Sequence, residues 1–205
     1  MNQDQIKQLN EAVEAVKTRK IENVYFVACG GSKAIFDPAQ FIFDRETTLP
    51  SFVYNANEFI HRCPKGLGEN SLVVTCSHSG NTLETTRATQ LAGDKGALTI
   101  SFSYRVDSPL WKATQHPISY VWGPESNPGD NNNGMLYRLV FSILNVLQPN
   151  EKYERAIKAC DNLGKVYEAN KAKFAESAKA FGKKYKNNKL IYTMSSGPCY
   201  GVAYS

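Results

Sequence analysis

Long hydrophobic runs are missing from this 205-residue sequence, which contains no stretch of eighteen consecutive apolar residues. A membrane-spanning helix needs about twenty such residues, so no membrane span is predicted. The first twenty residues are polar and lack the apolar centre of a secretory signal peptide. The five cysteines are scattered, with no C-x-x-C pair and no cysteine–histidine cluster at zinc spacing. Together these absences favour a reduced protein of the cytoplasm, without a metal site and without a membrane partner.

Two nucleotide-binding motifs are missing as well. The sequence contains no G-x-x-x-x-G-K-[ST], the glycine-rich loop that cradles phosphates in P-loop proteins. It also lacks G-x-G-x-x-G, the turn that binds dinucleotides at the start of a Rossmann helix. We therefore expect no nucleotide cofactor.

The net charge of +5 is concentrated in the last quarter of the chain. Residues 151–205 contain eleven Lys and Arg against five Asp and Glu, mostly within one helical pattern whose apolar positions recur every three or four residues. Such a pattern places the lysines on the solvated face of an amphipathic helix. A nucleic-acid surface is the less favoured alternative because no RNA-binding motif accompanies the lysines, so no nucleic-acid partner is predicted.

Short apolar runs alternate with helical patterns through residues 1–150, and 42% of the whole sequence is hydrophobic. Strands are predicted at 24–28, 51–54, 71–76, 97–102 and 118–122. Strands that are apolar throughout and alternate with helices indicate a parallel sheet covered on both faces. The predicted fold is α/β, a three-layer αβα sandwich with a five-stranded parallel sheet, and ligands in such folds bind at the carboxyl ends of the strands.

The rest of the chain is predicted to contain connecting helices over 151–186 and the start of a second, similar domain over 187–205. This second prediction depends on a weak repeat, because the run Val24–Gly31 aligns with Leu190–Gly197. One strand cannot bury a core by itself. The sequence therefore has the pattern of a fragment of a longer, two-lobed protein.

Two turns rich in hydroxyl groups and glycine follow predicted strands, at 29–33 and at 75–82. A turn that opens a helix offers free backbone N–H groups and the positive end of the helix dipole. Ser77, Ser79 and Thr82 are predicted to hold a phosphate or the hydroxyls of a sugar, with the amides around Gly80 completing the site. The alternative for any single one of these residues is an ordinary helix cap.

The sequences of the two turns, C-G-G-S-K and S-H-S-G-N-T, resemble the corresponding motifs of the SIS (sugar isomerase) domain family. The segments N-x-x-E-F at 55–59 and D-S-P-L at 107–110 are most similar to its fructosamine 6-phosphate deglycases, which act on fructoselysine or fructose-aspartate 6-phosphates. The resemblance implies that Gly31 and Ser32 contact the sugar and that Ser77, Ser79 and Thr82 hold its 6-phosphate. His78 is expected to donate a hydrogen bond to the phosphate or sugar, with a plain loop histidine or an acid/base group as alternatives.

By the same resemblance the reaction converts a phosphorylated sugar-amine to glucose 6-phosphate and a free amine, without a metal or cofactor. A carboxylate must move the C1–C2 proton and an acid/base group must open the ring. The family's catalytic Glu and His are expected beyond Ser205, so no catalytic residue is predicted in the chain, and the chain alone is expected to be inactive. Two alternatives remain, a sugar-phosphate isomerase of the glucosamine-6-phosphate synthase type and a sugar-phosphate-sensing module. A homodimer is expected.

Overall fold

Five parallel strands form the centre of the computed structural model, which describes residues 1–124 and 126–204. The strands are β1 (Asn23–Ala28), β2 (Ser51–Asn55), β3 (Ser71–Cys76), β4 (Leu98–Ser103) and β5 (His116–Ser119). Their order across the sheet is β2-β1-β3-β4-β5, so the chain changes direction across the sheet between β1 and β3. Ligands in open parallel sheets bind at this switch point, beyond the carboxyl ends of the strands.

Helices cover both faces of the sheet. Ten α-helices and one 3₁₀ turn lie within the described residues: α1 (Gln3–Lys17), α2 (Gly30–Ala34), α3 (Phe36–Glu46), α4 (Ala56–Arg62), α5 (Leu83–Asp94), α6 (Pro109–Ala113), α7 (Asn132–Leu147), α8 (Glu151–Cys160), α9 (Leu163–Tyr185), the turn Gly197–Cys199 and α10 (Tyr200–Tyr204). Within this part of the chain, no helix combines the length and apolar character that crossing a membrane requires.

The residues of β1 alternate between the two faces of the sheet and so separate two hydrophobic cores. Val24 and Phe26 pack into the larger core with α1, α3 and α7, whereas Tyr25 and Val27 pack into a smaller core with α4 and α5. The Phe26 ring lies 5.3 Å from the Phe36 ring of α3, centroid to centroid. Both faces are therefore buried, which confirms the predicted α/β fold with its parallel five-stranded sheet.

Several predicted boundaries were wrong. Strand β5 ends at Ser119 rather than at Trp122, because Val121 donates its backbone N–H to the Asp130 carbonyl, 2.9 Å away, instead of extending the sheet. Helix α5 continues through Gly93 to Asp94, and the chain reverses at Gly96, where φ is +83°.

The segment after β1 forms two helices, whereas the sequence pattern predicts one helix from the turn through Arg45. The structure divides it at Ile35 into α2 and α3, and Pro38 lies in the first turn of α3, where its missing N–H costs no helical bond. The lysine-rich segment forms α8 and α9, which are separated by the turn at Asp161 and Asn162.

The segment predicted to start a second domain contains no strand within its described residues, and Ser205 lies outside them. Side chains from Leu190 to Tyr192 are exposed. The chain then returns to the first domain, where α10 contacts α2 and α3. Gly201 lies directly against the Ala34 carbonyl, where any added side chain would collide. The second domain stays a prediction.

Candidate functional site

The two hydroxyl-rich turns lie side by side because β1 and β3 are neighbours in the sheet. Ala28 is paired with Cys76 at the last position of the two strands, so both turns leave the sheet at the same level. The Ser32 hydroxyl forms a hydrogen bond with the Cys76 thiol. Burial of that thiol raises the pKa of Cys76 to about 12, although the Ser32 bond opposes the rise. The structure thus joins two segments that are more than forty residues apart in the sequence.

The turn after β3 is closed by hydrogen bonds between its own polar groups. The Ser77 and Thr82 hydroxyl oxygens are 2.9 Å apart, and the Gly80 backbone N–H donates to the Ser77 carbonyl at 3.1 Å. The Asn81 N–H donates to the Ser79 hydroxyl oxygen at 3.2 Å. The three hydroxyls predicted to hold a phosphate therefore share one compact loop.

Gly80 fixes this loop against the segment after β4. Its φ of +67° is a left-handed conformation that glycine adopts without strain. A side chain at this position would collide with Ser108 and would also lie 2.8 Å from the Ser103 hydroxyl oxygen. The Gly80 carbonyl accepts the backbone N–H of Leu110 at 3.0 Å. Only glycine therefore fits between the turn and the start of α6.

The first turn of α5 is available for an anion. Thr82 is the N-cap residue, yet among the described contacts its side chain makes no capping bond to the helix, because its hydroxyl lies against Ser77 instead. The uncapped amides and the dipole of a twelve-residue helix favour a negatively charged ligand at this point.

A cavity of about 620 Å³ opens at the carboxyl edge of the sheet beside these turns. Its volume lies within the range of small-molecule sites. Three of the predicted site residues, Gly31, Ser32 and His78, line it together with Cys29. As far as the structure describes the chain, Ser77, Ser79 and Thr82 are outside this lining, although they belong to the same turn as His78. Cys29 is half-buried, although its position at the end of an apolar strand predicts a fully buried side chain.

The His78 side chain is exposed, and it contacts three aromatic rings. Its Nδ1 atom lies 2.9 Å from the Tyr120 hydroxyl oxygen, and its ring stacks on Tyr104 with 5.2 Å between centroids and 3° between planes. Trp122 approaches it edge-on at 5.1 Å. Burial raises the pKa of Tyr120, so this phenol stays protonated and can donate to His78.

Sequence reasoning missed several residues of the cavity wall. Tyr120 and Trp122 fall within the strand predicted at 118–122, and Asn132, Asn133 and Tyr137 were not singled out as site residues. All five line the cavity. The run of three asparagines at 131–133 was the one available signal, since polar amides before an apolar helix suit an N-cap. Asn131 does cap α7, where its side chain accepts the Gly134 N–H at 2.9 Å.

The cavity wall is uncharged: of the described residues, no Asp, Glu, Lys or Arg lines it. Glu58 pairs instead with Arg62 at 2.8 Å on α4, and Glu84 is exposed in the first turn of α5. A search of residues 1–124 and 126–204 finds no group of three or more His, Cys, Asp or Glu placed to hold a metal ion.

Comparisons with a family profile, with known sequences and with solved structures agree with one another. The sequence profile of the SIS domain matches residues 17–147. The chain is 46% identical to the fructosamine deglycase FrlB of Bacillus subtilis over 97% of its length, and 28% identical to the fructoselysine 6-phosphate deglycase of Escherichia coli over 94%. It spans 61% and 56% of the length of these two relatives.

A Bacillus subtilis crystal structure that carries the name of a phosphosugar isomerase superposes on the chain with a TM-score of 0.92. The two chains are 46% identical, and the match covers 97% of this chain and 61% of the other.

Proposed function

The chain belongs to the SIS domain family, and from that premise we propose that it binds a 6-phosphofructosyl-amine for cleavage to glucose 6-phosphate and a free amine. Ser77, Ser79 and Thr82 hold the 6-phosphate at the start of α5. Gly31 and Ser32 contact the sugar, and His78 donates a hydrogen bond to the phosphate or to the sugar.

The observation that carries this proposal is the hydrogen bond between Ser77 and Thr82, 2.9 Å long. It draws the N-cap side chain away from the amides of α5 and leaves them for a ligand. A phosphate monoester matches those amides and the adjacent hydroxyls in charge and in hydrogen-bonding geometry. The relatives named for fructosamine and fructoselysine 6-phosphate support the sugar-amine.

The turns bind and orient the substrate, and we propose that the proton-transferring carboxylate comes from outside these 205 residues. A base removes a proton from C1 to give an enaminol, reprotonation at C2 gives an imine at C1, and water releases the amine. The described cavity lining has no carboxylate to act as this base. The relatives are longer than the chain, which leaves room for such a group.

Sugar-phosphate isomerisation is the second candidate. It needs the same phosphate site and the same C1–C2 proton shift, and the superposed Bacillus subtilis structure bears an isomerase name. The uncharged cavity wall suits either substrate, so the amine distinguishes the two activities. Assays of amine release and of aldose–ketose conversion on the full-length protein separate them.

Three broader proposals accompany this function. Residues 187–205 begin a second domain of the same family, the protein forms a homodimer, and it works in the cytoplasm. The exposed apolar side chains of α9, Phe174 and Phe181, support a further contact surface, and the five free cysteines suit a reducing compartment. Light scattering on the full-length protein tests the dimer.

Thermal denaturation with glucose 6-phosphate tests the phosphate site. At 100 times its dissociation constant the ligand should stabilise the native chain by about 2.7 kcal/mol, and the Ser77→Ala/Ser79→Ala variant should lose most of this gain. Thr18→Ala, which removes a hydroxyl at the opposite edge of the sheet, is the control. Equal stabilisation of the native chain and the double variant would refute the site.

A further inference from the structure

Three aromatic rings form a ledge at the mouth of the cavity, made of His78, Tyr104 and Trp122. His78 and Trp122 line the cavity, and Tyr104 stacks on the His78 ring. The ledge is exposed to solvent, with 55% of Trp122 and 45% of Tyr104 accessible. Exposed apolar surface held rigid beside a cavity is typical of a ligand-binding site.

The proposed phosphosugar would contact only part of the cavity wall. The two turns supply hydroxyls and amides for a phosphate and a sugar, whereas the wall formed by Tyr120, Trp122 and Tyr137 is aromatic. Asn132 and Asn133 are the amide side chains in the described lining. This part of the cavity is therefore suited to a ligand with carbon surface and a few neutral hydrogen-bonding atoms.

We propose that the ledge is the subsite for the side chain on the amine part of the substrate, and that it selects apolar side chains over acidic ones. An aliphatic or aromatic side chain placed against Trp122 buries carbon surface on both partners. A side-chain carboxylate in the same place would meet the negative faces of the Tyr and Trp rings and would find no Lys or Arg in the described lining. This inference rests on the proposed function, since it names the amine of that same substrate.

The stacking of His78 on Tyr104 connects the ledge to the turn proposed to bind the phosphate. His78 belongs to the phosphate turn, so the aromatic cluster ties the amine subsite to the phosphate site through one side chain. Trp122, by contrast, lies outside both hydroxyl-rich turns. Removal of its ring therefore separates recognition of the amine from recognition of the phosphosugar.

Calorimetric titration of the 205-residue chain tests the subsite with four ligands: glucose 6-phosphate and the 6-phosphofructosyl derivatives of leucine, glycine and aspartate. The leucine derivative should bind most tightly. Trp122→Ala should weaken it by roughly three- to tenfold, the loss expected for one aromatic contact, and should leave glucose 6-phosphate unchanged. Trp122→Phe should retain most of the affinity. Phe174→Ala removes an equally exposed ring away from the cavity and is the control.

Three results would overturn the inference: unchanged affinity for the leucine derivative in Trp122→Ala, equal loss for leucine derivative and glucose 6-phosphate, or tightest binding of the aspartate derivative. The second result would mean that Trp122 contributes to binding of the phosphosugar itself. A native chain that binds no glucose 6-phosphate would instead refute the proposed function, and the subsite with it. Because Trp122 is exposed, its variants should keep the native melting temperature, which is measured first.

Discussion

The Nδ1 atom of His78 lies 2.9 Å from the hydroxyl oxygen of the buried Tyr120, and this contact joins the turn after β3 to the segment that leaves β5. The two residues are 42 positions apart in the sequence, and strand β4 separates β3 from β5 in the sheet. The bond holds the imidazole of that turn beside the cavity that both residues line.

Tyr120→Phe should release His78 from this orientation. Burial raises the pKa of Tyr120, so its phenol stays protonated and can donate a hydrogen bond. We predict that it donates to Nδ1, which places the His78 proton on Nε2. Nitrogen NMR of the native chain should show this tautomer, and the variant should lose the preference together with about 1 kcal/mol of stability. Tyr104→Phe keeps the stack and is the control. A native imidazole protonated on Nδ1 would contradict the assignment.

Gly80→Ala should destabilise the protein by about 2–5 kcal/mol. The left-handed backbone costs an alanine about 1–2 kcal/mol, and the collision with Ser108 adds about 1–3 kcal/mol of overpacking. Urea denaturation measures the loss. Gly93→Ala is the matched control, because a side chain there meets nothing within 4 Å inside a helix and should be neutral or stabilising by up to about 1 kcal/mol. Equal effects of the two substitutions would show that the turn adapts to a side chain.

The free energy of unfolding should fall as the pH rises above about 9, partly because of Cys76. Burial raises the pKa of this thiol to about 12 in the native state, above the value near 8.5 expected in the unfolded chain. Between these values the native state binds more protons than the unfolded state, so each pH unit removes up to about 1.4 kcal/mol. Below about pH 8 the thiol is protonated in both states and contributes no slope.

Cys76→Ala should therefore have a shallower decline in stability between pH 9 and 10. Urea denaturation with a reductant present measures the slope, and Cys199→Ala, which removes an exposed thiol, is the control. Parallel slopes in native chain and Cys76→Ala would show that the buried thiol is not the group responsible.

Backbone amides from 190 to 194 should exchange with deuterium within the shortest measured times. This segment is exposed and forms no strand in the part of the chain that the structure describes, whereas β3 is buried on both faces. Hydrogen-exchange mass spectrometry should therefore show slow exchange in 71–76 and fast exchange in 190–194. Strong protection of 190–194 in a monomeric chain would contradict this, and would also weaken the proposal of a second domain.

The sequence by itself determined the architecture and predicted half of the candidate site. Continuous apolar runs such as 71–76 predict buried strands, because a parallel sheet covered on both faces requires them. Both ends of that strand were predicted correctly. The two hydroxyl-rich turns could be predicted as an anion site from the sequence, because their chemistry is local. Glycine, serine and threonine at the start of a helix suit an anion wherever the rest of the chain lies.

The other half of the site was decided only by the tertiary structure. Tyr120, Trp122 and Tyr137 have ordinary apolar surroundings in the sequence, and nothing local distinguishes a core aromatic from one that lines a cavity. Strand order brings them to His78, and strand order follows from packing over the whole sheet rather than from any short segment. The end of β5 was mispredicted for the same reason, because Val121, two residues beyond the strand, donates its backbone N–H to Asp130 in a loop that only the folded chain brings near.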